Sequence, residues 1–560
     1  MGYSLKVRNI VKDVKVKGKT KRLLDNVSFD ISEHEFVALV GVSGAGKTTL
    51  LNVLSGYDSY SNGEVYINDL AISSNMDYYM NKMSYVPQRE VLHNHLTLER
   101  ALYYSASLRI ANASSEEIKR KVKKVIRELD LQGKENTFIK NLSGGERKRA
   151  SIATELLTKP DIMFLDEPTS GLDSNIEKKL MITLRELANQ GKTVVITAHT
   201  LANLYLCDKI IFMSEGGKIC FIGTYEESLK YFQVKEFVDI YEKLKDPSQI
   251  EKYQKKYNEK ELLNIEKRRK INHKKQKKIS RLKEIYFLTK RYSEIIMNNK
   301  VFCFLLFFQA IIMGFAIIIV AKDDWLKVYD TAKILLFAFS CAAMWLGLFN
   351  SVQEIVKEKD IIKLEYFNNM RLSSYVVSKL LVFAFLSLVQ ALLFLGIISL
   401  KVGMPVSGII FSSAFVEYIF CFFLVSFSSS MLGMLISAVV KTTEITLIIT
   451  PIYMMFQLLF SGILVSLHGI GDTISHFIIG RYAIESFGIT TNLIEVLKNT
   501  SLGGIIDPIT TTGMFIDEAE QYYLYTLSHM NQIILILVFT ICLFMVLSIL
   551  AIKYNIKKSY

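Results

Sequence analysis

Six cysteines serve a chain of 560 residues, and Cys207, Cys220, Cys303, Cys341, Cys421 and Cys542 include no C-x-x-C pair. A disulfide framework and a cysteine zinc site are thereby excluded as organising devices. The start of the chain, Met1-Gly2-Tyr3-Ser4-Leu5-Lys6, lacks an apolar core, so no cleavable signal peptide is expected. Lys6 also breaks the myristoylation pattern that Gly2 begins. Long uncharged apolar runs are missing before Val301. Half of the residues are hydrophobic and yet 22% are charged, so the average joins an ordinary soluble half to an apolar one. This length predicts two or three domains.

The positive charge that is present, +13 overall, is concentrated: eight of the twelve residues over 267–278 are Lys or Arg. Such a run suits nucleic acid or anionic lipid at the cytoplasmic membrane surface. The apolar run that begins at Val301 favours membrane lipid, and no nucleic acid is expected as a partner.

The stretch around which the soluble half is organised is Gly41-Val42-Ser43-Gly44-Ala45-Gly46-Lys47-Thr48. An apolar run over 36–40 predicts a buried strand before it, and 49–54 predicts a helix after it. Strand, glycines, Lys-Thr and helix is the order of a phosphate-binding loop, whose alternative is an ordinary tight turn. Backbone N–H groups would close on the phosphates, Lys47 would reach the outer ones, and the Thr48 hydroxyl would take a Mg²⁺ position. Downstream, Pro87 ends a strand and sets Gln88 to offer its amide to a metal or water, unless it is merely solvated. The stretch 114–130 predicts a helix with Ile118, Val122, Val125, Ile126 and Leu129 on one face. Leu142-Ser143-Gly144-Gly145-Glu146-Arg147-Lys148-Arg149 then precedes a helix expected over 150–157. Its Ser-Gly-Gly turn is either a second anion site or a plain Ser143 cap. The apolar strand of 161–165 ends in Asp166 and Glu167, which suit indirect Mg²⁺ coordination and polarisation of an attacking water. Asp173 follows in Ser170-Gly171-Leu172-Asp173, and His199 closes the strand of 193–198, either near a terminal phosphate or as a structural histidine.

In this order and spacing the segments resemble the nucleotide-binding domain of the ATP-binding cassette (ABC) superfamily, over residues 5–232. The resemblance implies an α/β P-loop NTPase fold, with ATP and Mg²⁺ as cofactors. It makes Gly41, Ser43, Gly44, Gly46, Lys47, Thr48 and Thr49 the Walker A contacts, Gln88 the Q-loop, and Asp166 the Walker B acid. Mg²⁺ would be held through Thr48, Gln88 and Asp166. Glu167 becomes the catalytic base, His199 the switch histidine and Asp173 the D-loop acid. Ser143, Gly144, Gly145 and Glu146 form the signature, which acts on the ATP of an opposite cassette. The basic ending LSGGERKR, with Leu96-Thr97-Leu98-Glu99 and Ser105-Ala106-Ser107-Leu108-Arg109, resembles the G subfamily (White type) of cassette-first half-transporters. The chain departs from it in following His199 with Thr200-Leu201 rather than Gln-Pro, and in lacking an adenine-stacking aromatic before residue 41.

Residues 280–299 predict an amphipathic helix, with Leu282, Ile285, Tyr286, Leu288 and Ile295 against Arg281, Lys283, Lys290 and Arg291. It would lie on the inner membrane face, the alternative being a soluble surface helix. Six stretches are long enough to cross a bilayer, at 301–320, 334–352, 376–400, 409–440, 445–465 and 533–552. The fourth exceeds one crossing. Lys357, Lys359, Lys363, Arg371 and Lys379 lie between the second and third, and Lys553, Lys557 and Lys558 after the last, whereas 466–532 has two basic residues and seven acids. Both termini are therefore expected on the cytoplasmic side, in what is expected to be the plasma membrane, with 466–532 outside. Glu417, an acid within a span, is expected near the outer interface and in reach of water rather than in a relay.

The resemblance continues in Glu365-Tyr366 and 370–379, which look like the family's coupling loop, and in Arg481-Tyr482-Ala483-Ile484-Glu485 of its outer loop. It makes Ile463 and Leu464, after Ser461-Gly462, an apolar gate on a dimer axis. The expected organisation is a cassette at 1–235, a basic linker and connecting helix at 236–300, and an all-α six-helix transmembrane domain at 301–560. The expected function is an ATP-driven half-transporter that pairs with a second chain, identical or not, and exports a small amphipathic or lipid-like substrate. A membrane-tethered ATPase that regulates a partner and an ATP-gated channel are the rivals. The apparent coupling loop counts against the first, and the near-absence of charge in the spans against the second.

Overall fold

The computed structural model describes residues 2–558, apart from 17, 81, 112, 200–202, 238, 244–249, 251–252, 254–278, 463–466, 468 and 503–522. The basic run of 267–278 and the gate residues Ile463 and Leu464 lie outside the described residues. The chain divides into two compact units, one of residues 1–287 with 363–370, the other of 288–362 and 371–559.

The first unit is built on two sheets. A six-stranded sheet has the order β10-β9-β3-β8-β7-β6, where β3 is Phe36–Gly41, β6 Met83–Val86, β7 Ile162–Leu165, β8 Thr193–Thr197, β9 Lys209–Ser214 and β10 Lys218–Gly223. All but β10 run parallel. Parallel strands covered on both faces read as unbroken apolar runs, and every residue of β3 is buried. Alternation sends Phe36, Ala38 and Val40 into one core and Val37 and Leu39 into the other. The first core is closed by α3 (Leu98–Arg109), α4 (Ser115–Glu128), α5 (Gly144–Leu156) and α6 (Ser174–Asn189). The second is closed by α1 (Lys47–Ser55) and an antiparallel sheet of order β2-β1-β4-β5, with β1 Leu5–Val16, β2 Lys19–Ile31, β4 Asn62–Ile67 and β5 Leu70–Ala71. Leu364 and Phe367 join this second core, and the Phe367 ring meets Tyr57 edge-on at 5.3 Å.

Two boundaries differ from the sequence reading. Residues 3–40 read in sequence as short strands with charged turns, whereas Leu5–Val16 and Lys19–Ile31 form a hairpin of 12- and 13-residue strands. Register shifts in β1 after Val7 and Ile10 keep Leu5, Val7 and Ile10 facing the core without ending the strand. The signature helix starts at Gly144, six residues before the expected Ala150, because Ser143 and Glu146 form a reciprocal cap.

Among the described residues of the second unit, five helices are long and apolar enough to cross a membrane. Span 1 is Lys300–Val320, span 2 Tyr329–Ser351, span 3 Leu372–Ile398, span 4 Ala414–Val439 and span 6 Leu527–Lys558. Of the six expected crossings, the fifth is a helix of 17 residues, Thr443–Leu459, that carries Pro451. Spans 2 and 4 pack backbone against backbone. A Cβ on Gly347 would stand 2.0 Å from the Ser426 carbonyl oxygen, so only glycine fits. Ser429 donates to the Met344 carbonyl at 2.7 Å and Ser430 to that of Gly347 at 2.9 Å. Small residues and hydroxyls of this kind hold helices together where no hydrophobic force separates helix from lipid.

Glu417 does not reach water. It is fully buried in the first turn of span 4. Its carboxylate accepts from the Ile410 amide at 2.7 Å, the Phe411 amide at 3.3 Å and the Thr490 hydroxyl at 2.9 Å. The loop folds back on the carboxylate and fills its acceptor sites, so the residue anchors that loop. On the connecting helix Arg281–Asn298, Leu288 and Arg291 are buried and Leu282 is exposed.

Candidate nucleotide site

Pairing in the six-stranded sheet places Leu39 of β3 beside Thr197 of β8, and Ile196 beside Leu165 of β7. The residues that follow β3 and β7 therefore meet Thr197 at the carboxyl edge of the sheet, where α/β folds bind ligands. Gly41 approaches β9 so closely that a Cβ would lie 2.1 Å from the Met213 carbonyl oxygen, and Gly46 at φ +90° turns the chain into α1. These two glycines set the path of the loop.

Lys47 is buried, and its ammonium donates to the Gly41 carbonyl at 2.7 Å and the Val42 carbonyl at 3.1 Å. Burial pushes its pKa down, while Glu167 and Asp166 push back. Thr48 donates to Asp166 Oδ1 at 3.0 Å, and Thr197 donates to the same oxygen at 2.7 Å. Burial raises the Asp166 pKa and these two hydroxyls lower it. The Thr197 hydroxyl also accepts from the Glu167 amide at 2.7 Å. Glu167 sits at φ +44°, a left-handed conformation that is sterically costly away from glycine. Its carboxylate accepts from Gln88 Nε2 at 2.7 Å and lies 3.4 Å from His199 Nε2.

Lys47, Thr48, Gln88, Asp166, Glu167 and His199 thus converge at the carboxyl edge of the sheet. Ser43 and Gly44 stand exposed at the loop's crest, with Thr49 half-buried beside them. The signature stands apart. Ser143 accepts from the Glu146 amide at 3.3 Å, and Glu146 accepts from the Ser143 amide at 2.9 Å and pairs with Lys134 at 3.0 Å. The backbone bond at Ser143 and the Lys134 charge keep the Glu146 pKa low against burial. Asp173 caps α6 by accepting from the Ile176 amide at 3.0 Å. None of these bonds among the described residues goes to the Lys47–Asp166–Glu167 group. A cap and an anion turn are compatible, since Gly144 has open space where a side chain would stand.

Sequence reasoning gave no role to Thr197, whose hydroxyl joins the two acids. The signal available was its place two residues before His199 at a strand end. The oxygen donors at the site, the Thr48 hydroxyl, the Asp166 carboxylate and the Gln88 amide oxygen, are the hard ligands that magnesium takes alongside phosphate and water. The residues present fit that ion.

Two family models match the chain, ABC transporter over residues 24–170 and ABC-2 type transporter over 283–491. An ABC transporter ATP-binding/permease protein of Mycobacterium tuberculosis is 27% identical over 85% of this chain and 56% of its own length. ABC transporter G family member 22 of Arabidopsis thaliana is 38% identical over 41% of this chain and 32% of its own. ATP-binding cassette sub-family G member 5 of Homo sapiens is 36% identical over 38% and 34%. The chain thus spans about half the length of the first relative and a third of the other two. With an ABC transporter domain followed by an ABC-2 type transporter domain, cassette first, the chain belongs to the ABC transporters, and about two fifths of it is similar to members of their G family.

Proposed function

We propose that this chain is an ATP-driven half-transporter that works as a dimer and exports a small amphipathic or lipid-like molecule. The observation that carries the reading is the divided site: phosphate-loop, Walker B and switch residues share one hydrogen-bonded cluster, whereas the Ser143 turn is bonded elsewhere. Two chains, identical or not, would complete two sites, each signature facing the other's ATP.

Lys47 would leave its loop carbonyls for the outer phosphates, the loop amides and the α1 N-terminus would hold the others, and Glu167 would take a proton from the attacking water. His199 would hold the terminal phosphate, and Gln88 would keep Glu167 in place through its amide nitrogen while offering its amide oxygen to the metal. A magnesium ion held by Thr48, Asp166 and Gln88 would offset phosphate charge. Segment 363–370, packed in the cassette's core through Leu364 and Phe367, leads along the chain into span 3 and would carry closure to the membrane helices. We place both termini in the cytoplasm and the protein in the plasma membrane. We assign Ile463 and Leu464 as the gate, on the strength of the sequence resemblance alone.

Reconstitution into liposomes tests this. Lipid or drug molecules that stimulate ATP turnover should also move across the bilayer when ATP is supplied. Stimulation without movement would favour a tethered regulatory ATPase, and an ATP-dependent ion conductance would favour a channel.

A further inference from the structure

The motif segments leave one buried charge without a task. Lys148 lies one turn inside the signature helix α5 and is 2% exposed. Its ammonium donates to the Gln88 backbone carbonyl at 2.6 Å and stands 4.0 Å from the Glu90 carboxylate. A lysine almost never buries fully without a partner, since desolvation disfavours its charge. Burial does lower the Lys148 pKa, and the acids Glu90, Asp166 and Glu167 hold it up. The side chain is therefore an internal cation held between the signature helix and the loop after β6.

That placement has a consequence for geometry. Gln88 carries two bonds in opposite directions: its carbonyl is held by Lys148, and its side-chain amide holds the Glu167 carboxylate at 2.7 Å. Glu167 is in turn within 3.4 Å of His199. The path from the signature helix to the hydrolytic carboxylate thus runs Lys148, Gln88, Glu167, through one charge-assisted bond and one amide bond. Loss of this charged donor removes the tie between the signature helix and the loop that carries Gln88.

We propose that Lys148 is a positioning residue for hydrolysis: it fixes Gln88, and through it Glu167, to the helix whose N-terminal turn serves the opposite ATP. The proposal rests on the site roles given above for Gln88 and Glu167. In a dimer it would make each signature helix report the engagement of one ATP to the hydrolytic group of the other.

The test is a mutant cycle on the full-length protein in lipid vesicles, reading ATPase kcat and KM, bound-nucleotide affinity and thermal unfolding. Lys148→Met keeps the length and apolar stem and removes the donor. It should lower kcat by about tenfold while changing KM and nucleotide affinity less than about twofold. Gln88→Ala should give a similar loss, and the double variant no more than the larger single loss, since both act on one path. Lys148→Arg, which keeps charge and donors, should recover most of the turnover; Lys148→Leu, which also lacks a donor, replaces Lys148→Met in the cycle should the latter not accumulate. A multiplicative loss in the double variant would overturn the proposal. So would a parallel loss of affinity and unfolding midpoint, which marks a merely structural lysine. If Gln88→Ala lowers turnover and Lys148→Met does not, Lys148 is not a positioning residue and the site reading stands. If Gln88→Ala itself has no effect, the site reading fails and the proposal with it.

Discussion

Glu167 is the residue at which backbone and chemistry meet. Its positive φ of 44° aims the carboxylate away from the path of β7, toward Gln88 and His199. A base positioned on the attacking water contributes about 10²–10⁴-fold to rate. Glu167→Gln should therefore reduce turnover by about a hundredfold or more and leave ATP bound in a closed dimer. Near-normal hydrolysis with retained ATP binding would remove Glu167 from the role of base. Thr197 tests the same geometry from below. Thr197→Val takes the donor from Asp166 and the acceptor from the Glu167 amide. Each buried group left unsatisfied costs about 1–3 kcal/mol. Turnover should fall with the Mg²⁺ requirement raised, measured as ATPase against Mg²⁺ at fixed ATP. Here lies one limit of reading residues in a line. Lys47, Asp166 and Glu167 were legible because phosphate binding and hydrolysis demand those types at those points. Thr197 was not, because its task exists only once β8 pairs with both β3 and β7.

At the scale of elements, the order of strands and helices was legible from apolar runs, while starts and faces were set by contacts that no single stretch contains. The capping box moved the start of α5, and Glu417 was drawn inward by amides seven and six residues before it and by Thr490 of another helix. The connecting helix buries Tyr292 in a polar cluster of the same kind. Tyr292 donates to Glu354 at 2.7 Å, and Tyr375 to Glu358 at 2.6 Å. Lys379 lies 3.0 Å from Glu358, 3.7 Å from Glu354 and 3.3 Å from the centre of the Tyr292 ring. Lys379, Tyr292, Tyr375 and Glu354 are buried and Glu358 is largely so, and the lysine offsets two carboxylates with little access to water. Removing one partner of a buried pair costs about 3–5 kcal/mol, chiefly through the charge left behind. Lys379→Ala should accordingly lower the unfolding midpoint of the detergent-solubilised protein sharply. Adding Glu358→Gln should restore part of it, because one stranded charge is gone. An additive further loss would show that the lysine acts by packing alone.

For the whole molecule, the distribution of basic residues makes the sharpest prediction, the side of the membrane on which each loop should lie. Four Lys or Arg fall between spans 2 and 3, Lys379 lies in the first turns of span 3, and Lys553, Lys557 and Lys558 end span 6, against two basic residues in 466–532. Orientation follows this bias. The cassette has no apolar run that would carry it across, and 466–532 would then be the large outer segment. Within it, Asn499-Thr500-Ser501 is an N-x-S/T acceptor, and Asn499 is exposed on the helix Leu493–Leu502. The acceptors at Asn26 and Asn141 belong to the cassette, where Asn26 lies in β2 and Asn141 in the turn before the signature. Sugar is added only on the translocated side, so the two sets of sites exclude one another. Expressed in a glycosylating cell, the protein should carry glycan at Asn499 and lose it with Asn499→Gln, seen as a mobility shift that a glycosidase abolishes. Glycan at Asn26 or Asn141 would invert the orientation, place the nucleotide site away from cytosolic ATP, and so overturn the transport reading at its root.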